Sequence, residues 1–420
     1  MSKATQAGVG IIGAGRRGIN CLGSRMAEMA GETGLVVKAI CDRNPQRLHE
    51  ARTYLEAEFA EHGTAAQIRE YAVHDDLIRD PNVDLILVTT PSYAHRETTL
   101  PALDSGKKVY LDKPIAQNLE DSRAILAAEE AAGHPLIMGF TRRYESPWRK
   151  AFSLVRDGLI GPLHMLQLRA VIPYDVYFHT WHRRREWSGG ALNDKSSHHF
   201  DVLNWFADSR AAHLSAIGGR RVYLPEADAP PRCRECDREC PYRRETSWRP
   251  QAGKGVETSW DLETDVVHRD DNCVYLPGAD IKDHALVQVG YENGIVASLF
   301  WCIFGPRADD QETLELVGSK GRIRLNRHDA TLDVVTDYGD TTRLIDCRTP
   351  ETASSHFGAD KALIRDLRVF YDGMSPEVSA REGYEATRMV MASHLSIDEG
   401  GRLVPMSELS ATSGPSLTGP

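Results

Sequence analysis

The stretch Val9-Gly10-Ile11-Ile12-Gly13-Ala14-Gly15-Arg16-Arg17-Gly18-Ile19-Asn20 decides the fold. A short apolar run turns directly into G-x-G-x-x-G, and helical spacing follows from Ile19 to Ala30. With 34 glycines in 420 residues, chance alone gives about 0.2 such matches per chain, so the pattern takes its meaning from its place between a strand and a helix. There Gly13 permits the tight turn, Gly15 lets backbone N–H groups approach a pyrophosphate, and Gly18 lets helix and strand pack closely. The helix N-terminus adds positive potential. Arg16 and Arg17, inside the same turn, join the candidate cofactor contacts.

Outward from this turn, Leu35–Ile40, Val83–Val88, Lys108–Leu111 and Pro135–Met138 repeat the apolar run, with a shorter Ile68–Tyr71 among them. Helix-period stretches lie between, and this alternation predicts βαβ units feeding a doubly wound parallel sheet. Asp42 ends the second run, where a carboxylate hydrogen-bonds the adenosine ribose and repels a 2′-phosphate, which favours NAD over NADP. Arg43 beside it could stack on adenine or pair with that phosphate. Thr90, Pro91 and His95 follow the fourth strand and Asp112-Lys113-Pro114 the fifth, so these residues reach the carboxyl edge of the sheet, where ligands bind in open α/β folds. A lysine there is placed to stabilise an alkoxide or to hydrogen-bond a reacting hydroxyl.

After Thr141 the texture changes: Met165–Val171 and His284–Val289 alternate in the manner of a half-exposed antiparallel sheet. The expected architecture is α/β. A dinucleotide-binding domain occupies residues 1–141, an α+β domain with a large open, mostly antiparallel sheet occupies 142–409, and 410–420 is a frayed tail. In Gly189-Gly190-Ala191-Leu192-Asn193-Asp194-Lys195-Ser196-Ser197-His198-His199-Phe200-Asp201, a helix starting near Asp194 puts Asp194 and His198 on one face, where the carboxylate can fix the imidazole tautomer. His199 lies about 100° around that helix and should point elsewhere. His198 is therefore the candidate general base, with Asp194 as its orienting partner and Lys113 as the third catalytic member. Arg143, Tyr177 and His182 are the candidate substrate contacts. They lie in stretches dense in hydrogen-bonding and aromatic side chains, and sugar hydroxyls need such donors while ring C–H surfaces pack on aromatic faces.

Of eight cysteines, Cys21, Cys41, Cys302 and Cys347 lie singly and read as small core hydrophobes. Cys233-x2-Cys236-x3-Cys240 sits in an insertion-like block over residues 225–273, rich in Arg, Glu, Asp and Pro. Cys273 or His268 could complete a four-ligand structural zinc site there. A second C-x2-C is missing, so unligated thiols, a labile disulfide and an iron–sulfur cluster stand beside zinc.

Composition is that of a globular protein, with 41% hydrophobic and 26% charged residues. Fifty Lys and Arg against 60 Asp and Glu leave a formal charge of −10, which opposes nucleic-acid or anionic-membrane partners. There is no signal-peptide pattern, and no apolar run approaches the ~20 residues of a membrane span. The expectation is a cytoplasmic protein.

Gly13 to Gly18, Asp112-Lys113-Pro114 and Gly189 to Asp201 together resemble the motifs of the glucose-fructose oxidoreductase/inositol dehydrogenase/rhizopine-catabolism (Gfo/Idh/MocA) oxidoreductases, over Val9 to about Leu403. The resemblance implies a Rossmann NAD-binding domain, a catalytic set of Lys113, Asp194 and His198, a sugar, glycoside or cyclitol substrate, and a homodimer or homotetramer through the open sheet. Two positions depart from the family pattern: Asp112 stands for the usual Glu, and Ser196 for the Gly before the histidine. Lys195 adds a second cation near the substrate if it points inward. The expected activity is hydride transfer between NAD and a secondary hydroxyl. Its rivals are an NAD-retaining enzyme that cleaves glycosides by transient oxidation and elimination, and a non-catalytic NAD-binding regulator.

Overall fold

The computed structural model describes residues 6–244, 269–353 and 355–411. His268 and the tail from residue 412 lie outside them. Strands β1 (Ala7–Ile12), β2 (Leu35–Cys41), β3 (Arg69–Tyr71), β4 (Leu85–Val88), β5 (Lys108–Leu111) and β6 (Ile137–Met138) form a six-stranded sheet in the order β3-β2-β1-β4-β5-β6. All its pairings are parallel. Strand β4 is all Leu, Ile and Val and β2 nearly all apolar because helices cover both faces. The order reverses between β1 and β4, which opens a crevice at their carboxyl ends.

The glycine turn fills that crevice as its residue types require. Gly13 has φ +97°, a left-handed conformation that disfavours a side chain. A Cβ on Gly18 would lie 2.5 Å from Thr89 Oγ1 and 2.7 Å from the Gly13 carbonyl oxygen, whereas one on Gly15 would meet nothing within 4 Å. The following helix starts with a wide π-type turn over Arg17–Gly23, in which the Cys21 N–H donates to the Arg16 carbonyl at 3.1 Å, and becomes α-helical at Ser24–Thr33.

The second sheet has nine strands: β7 (Leu163–Val171), β8 (Ala211–Gly219), β9 (His284–Tyr291), β10 (Val296–Cys302), β11 (Glu312–Gly318), β12 (Gly321–Asn326), β13 (Thr331–Thr336), β14 (Thr341–Asp346) and β15 (Val404–Pro405). Their order is β14-β13-β12-β11-β7-β10-β9-β8-β15, antiparallel except for β7 with β10. Leu166, Leu168, Val287 and Leu299 point into the core, while Met165, Leu286, Val296 and Phe300 on the opposite face are exposed. The alternation read from the sequence thus marks a sheet with one covered face. Helices Ala191–Ala207 and Ala380–Asp398 pack on its covered side and carry it toward the first domain.

Helix Ala359–Tyr371, far along the chain, completes the outer layer of the first domain. Its Leu363, Ile364, Leu367 and Phe370 share one apolar cluster with Ile11, Met26 and Leu55. Ion pairs Arg17–Asp360 at 2.6 Å, Arg365–Glu32 at 2.7 Å and Lys361–Glu28 fasten it there.

Candidate active site

A groove of about 150 Å³ at the β1/β4 crevice is lined by Gly13, Gly15, Asp42, Arg43, Thr90, Pro91 and Tyr93, among others. The Asp42 carboxylate accepts from the Ala14 N–H at 3.1 Å and the Asn44 N–H at 2.9 Å, so it braces the glycine turn from the end of β2. Thr90 Oγ1 is shielded from solvent and has no hydrogen-bond partner among the described residues. Open space over Gly15, an orphaned hydroxyl and a carboxylate at the groove's far end together fit a dinucleotide. If they hold one, Gly15→Ala keeps wild-type stability but weakens NAD binding tenfold or more, because its Cβ meets only ligand. Gly18→Ala, whose Cβ collides with Thr89, destabilises the chain by about 1–3 kcal/mol. Urea titration and NADH fluorescence separate the two; equal NAD affinity for Gly15→Ala and wild type would remove the groove as the cofactor site.

Across the crevice, the first turn of helix Ala191–Ala207 meets the end of β5. Lys113 Nζ donates to the Asp194 carbonyl at 2.7 Å and lies 3.3 Å from Asp194 Oδ2. The Tyr177 hydroxyl donates to the same oxygen at 2.6 Å, and His182 Nε2 stands 3.9 Å from it. Burial works to raise the Asp194 carboxyl, but Lys113, His182 and the Tyr177 hydrogen bond outweigh it and hold the group at about 2. Burial also pushes His182 down to about 4, against the pull of Asp194. His198 is likewise buried, and desolvation with the charges of Arg142, Lys113 and Lys195 keeps it well below the usual imidazole range. Its ring lies edge-on to Phe140 at 5.8 Å, and its Nδ1 has no partner among the described residues. The site therefore presents an ammonium, a carboxylate and a neutral imidazole on two adjacent elements.

The match to known proteins follows the same division of the chain. A family profile described as "Oxidoreductase family, NAD-binding Rossmann fold" covers residues 7–140, and its companion, "Oxidoreductase family, C-terminal alpha/beta domain", covers 153–406. The chain belongs to the Gfo/Idh/MocA oxidoreductase family. Among similar curated proteins, one of Bacillus subtilis named "Putative oxidoreductase YteT" is 27% identical over 60% of this chain and 62% of its own length. An inositol 2-dehydrogenase of Ralstonia nicotianae is 32% identical over 51% of this chain and 58% of its own length. The chain thus spans about six tenths of the length of the curated relatives it matches. A levoglucosan dehydrogenase solved with NADH and levoglucosan shares the fold, with a TM-score of 0.72 at 18% identity over 96% of this chain and 100% of that one.

Several residues expected at the site face elsewhere, where a buried charge or a ring nitrogen found a nearer partner or the side chain meets solvent. Arg143 forms two hydrogen bonds to Asp201, at 3.0 and 2.7 Å, and packs over Trp205, so its guanidinium is engaged by that buried carboxylate and ring. Arg17 faces Asp112, Asp360 and the Tyr110 hydroxyl, and Asp112 turns toward Arg17 and Tyr110; neither lines the groove. His95 sets one ring nitrogen 2.8 Å from the Pro114 carbonyl and the other 2.9 Å from that of Thr90, which clamps the β4 and β5 loops together. Arg16 is exposed. The Asp194–His198 hydrogen bond expected from helical spacing is not formed, because Lys113 and Tyr177 claim the carboxylate. Tyr93, which receives Arg43 at 3.5 Å and meets Trp181 edge-on, is a groove residue that no sequence pattern marked.

The thiols of Cys233, Cys236, Cys240 and Cys273 are free, and no three of them bring their sulfurs within 4.8 Å of one another. Cys233 Sγ instead lies 3.8 Å from His179 Nδ1. This arrangement does not fit a bound zinc. Among the described residues, Cys21, His356 and Asp360 do converge that closely, but Asp360 is already ion-paired with Arg17 at 2.6 Å.

The buried histidines carry a stability consequence. His182 and His199 are both pushed down to about 4, first by burial, and His198 and His394 are lowered for the same reason. Unfolded, they titrate near ~6.5 and bind protons that the folded state refuses. Stability is therefore full above about pH 6.5 and falls as the pH drops toward 4. The depressed carboxylates add their own loss only below about pH 4, so the two windows separate. A urea midpoint that stays constant between pH 7 and pH 5 would overturn this.

Proposed function

We propose that the protein oxidises a secondary hydroxyl of a sugar, glycoside or cyclitol with NAD, or reduces the matching ketone. The observation that carries this reading is Lys113, delivered by the dinucleotide domain, hydrogen-bonded to Asp194 of the second domain beside a neutral His198 whose Nδ1 has no partner among the described residues. The substrate hydroxyl gives its proton to His198, which is neutral at pH 7 and so able to accept it. Lys113 donates a hydrogen bond to the same oxygen as negative charge develops there. Asp194 keeps the ammonium aimed, Tyr177 keeps Asp194 aimed, and His182, stacked on Trp181 at 3.8 Å, walls the pocket and offers a hydroxyl contact. The groove of Gly13, Gly15, Asp42 and Thr90 would hold NAD, which when bound would be the acceptor for the hydride leaving the carbinol carbon. Asp42 supports NAD over NADP, since its carboxylate would meet the 2′-phosphate.

The exposed apolar face of the second sheet, with Met165, Val296, Val317 and Leu403 around a depression of about 620 Å³, supports a homodimer or homotetramer formed through that face. Among the described residues no helix is long and apolar enough to cross a membrane, and the reading is of a cytoplasmic enzyme drawing on the NAD pool. The test is NADH absorbance on a panel of sugars, glycosides and inositols. A chain that binds NAD and yields no NADH on any of them loses this reading, and release of free sugar without NADH transfers it to the elimination chemistry.

A further inference from the structure

Three cations bear on His198: Arg142, Lys113 and Lys195. Arg142 is paired with Glu312 and Glu145, at 2.6 and 3.0 Å, and Lys113 with Asp194 at 3.3 Å. Lys195 has no carboxylate within 4 Å among the described residues, although the residue is only 8% exposed. The carboxylate that acts on it, Glu312, is already shared by Arg142 and Arg327. Lys195 Nζ makes one hydrogen bond, to the Tyr174 hydroxyl at 3.2 Å, and sits 4.4 Å from the centre of that ring. An ammonium this deep with one neutral partner is costly, and an anionic partner would offset that cost.

Its position says which ligand. Lys195 lies three residues before His198 on the same helix, so the two are neighbours on its surface. Tyr174 stands 5.6 Å, ring to ring, from Tyr177, whose hydroxyl holds Asp194. The Lys195–Tyr174 pair is therefore a neighbour of the catalytic residues His198 and Asp194. Since Lys195 donates to the Tyr174 oxygen, the phenolic proton is free to point away from it, and the pair presents N–H and O–H donors to the same space. Neither group offers an acceptor while Lys195 is charged. The charge left over is a single positive one, which matches a carboxylate better than a dianionic phosphate.

We propose that Lys195 and Tyr174 form a subsite for a carboxylate on the substrate, so that the preferred substrate is a polyhydroxy acid, such as a uronic acid or carboxylated cyclitol, and not its neutral counterpart. The inference rests on the dehydrogenase reading above for where the substrate lies. Lys195 acting on Tyr174 also lowers that phenol to about 8, as a cation facing an unpaired acceptor should.

The test uses the full chain with NAD and matched pairs, D-glucuronate against D-glucose and D-galacturonate against D-galactose, with D-glucose 6-phosphate as a third arm. The expected result is a kcat/KM for the acid about tenfold to a hundredfold above that of its neutral twin, carried by KM, as a charge-assisted hydrogen bond should give. Lys195→Met and Tyr174→Phe should bring that ratio toward one. Lys195→Met should also raise the urea midpoint, because it removes a buried unpaired charge; a merely structural lysine would lower it. Where Lys195→Met does not fold, Tyr174→Phe and Lys195→Gln carry the same ratio test. Equal or neutral-favouring ratios in the wild type, a ratio unmoved by the variants, or preference for the phosphate each overturn the subsite while leaving the dehydrogenase intact. If no sugar yields NADH, calorimetry of D-glucuronate on the NAD-loaded protein decides. Binding lost in Lys195→Met keeps the subsite without the dehydrogenase, and no binding to the wild type overturns both.

Discussion

His198→Ala should lower turnover by about 10²–10⁴-fold, the usual contribution of a positioned general base. The NAD groove is built from the glycine turn, Asp42 and Thr90 and does not include His198, so the NAD dissociation constant should change far less than kcat. The pH profile gives the sharper reading. Burial and three neighbouring cations hold His198 well below its ordinary value, so the acid limb of kcat/KM in the wild type should lie well below the ~6.5 of a free imidazole. That limb should vanish in His198→Ala. Asp194→Asn should resemble Lys113→Met and not His198→Ala, because Asp194 is bonded to Lys113 and Tyr177 and not to the histidine. An acid limb that survives His198→Ala unchanged would assign the proton to another group.

The second large effect concerns folding. Arg142 makes two hydrogen bonds to Glu312, at 2.6 and 2.9 Å, Arg327 makes two to Glu145, each at 2.8 Å, and Arg142–Glu145 at 3.0 Å and Arg327–Glu312 at 3.4 Å close the square. All four residues are buried, and Trp148 Nε1 donates to Glu145 at 3.1 Å. In Glu312→Ala two guanidinium groups face one carboxylate, and an uncompensated buried charge costs about 3–5 kcal/mol. The paired replacement Arg142→Met with Glu312→Met should be less damaging than Glu312→Ala alone, since it removes a cation together with its partner. Urea midpoints of the three proteins check this; a double variant weaker than the single one would show that the square contributes net stability.

The dinucleotide domain was legible along the chain because its signals are local. Gly13 and Gly18 are required by backbone geometry within one turn, Asp42 by its place at a strand end, and the parallel strands by apolar runs that need no knowledge of their neighbours. The open second sheet was legible for the same reason, since a period of two records which face meets water. His199 pointing away from His198, toward Glu312 at 3.5 Å, also follows from helical spacing alone.

What the chain could not reveal is which partner each polar side chain takes. Helical spacing put Asp194 and His198 on one face, but hydrogen bonds go to whatever donor stands closest, and tertiary packing brought Lys113 from β5 and Tyr177 from the segment after β7. Arg143 was expected to reach substrate and Arg17 cofactor; each instead met a carboxylate distant in sequence, Asp201 and Asp360. The cost of a buried charge without a partner exceeds any local preference, so such residues go where the fold supplies a counter-charge. Lys195 shows the same rule from the other side: its sequence position only placed it near the catalytic pair, and the packed structure left it with no carboxylate within 4 Å among the described residues.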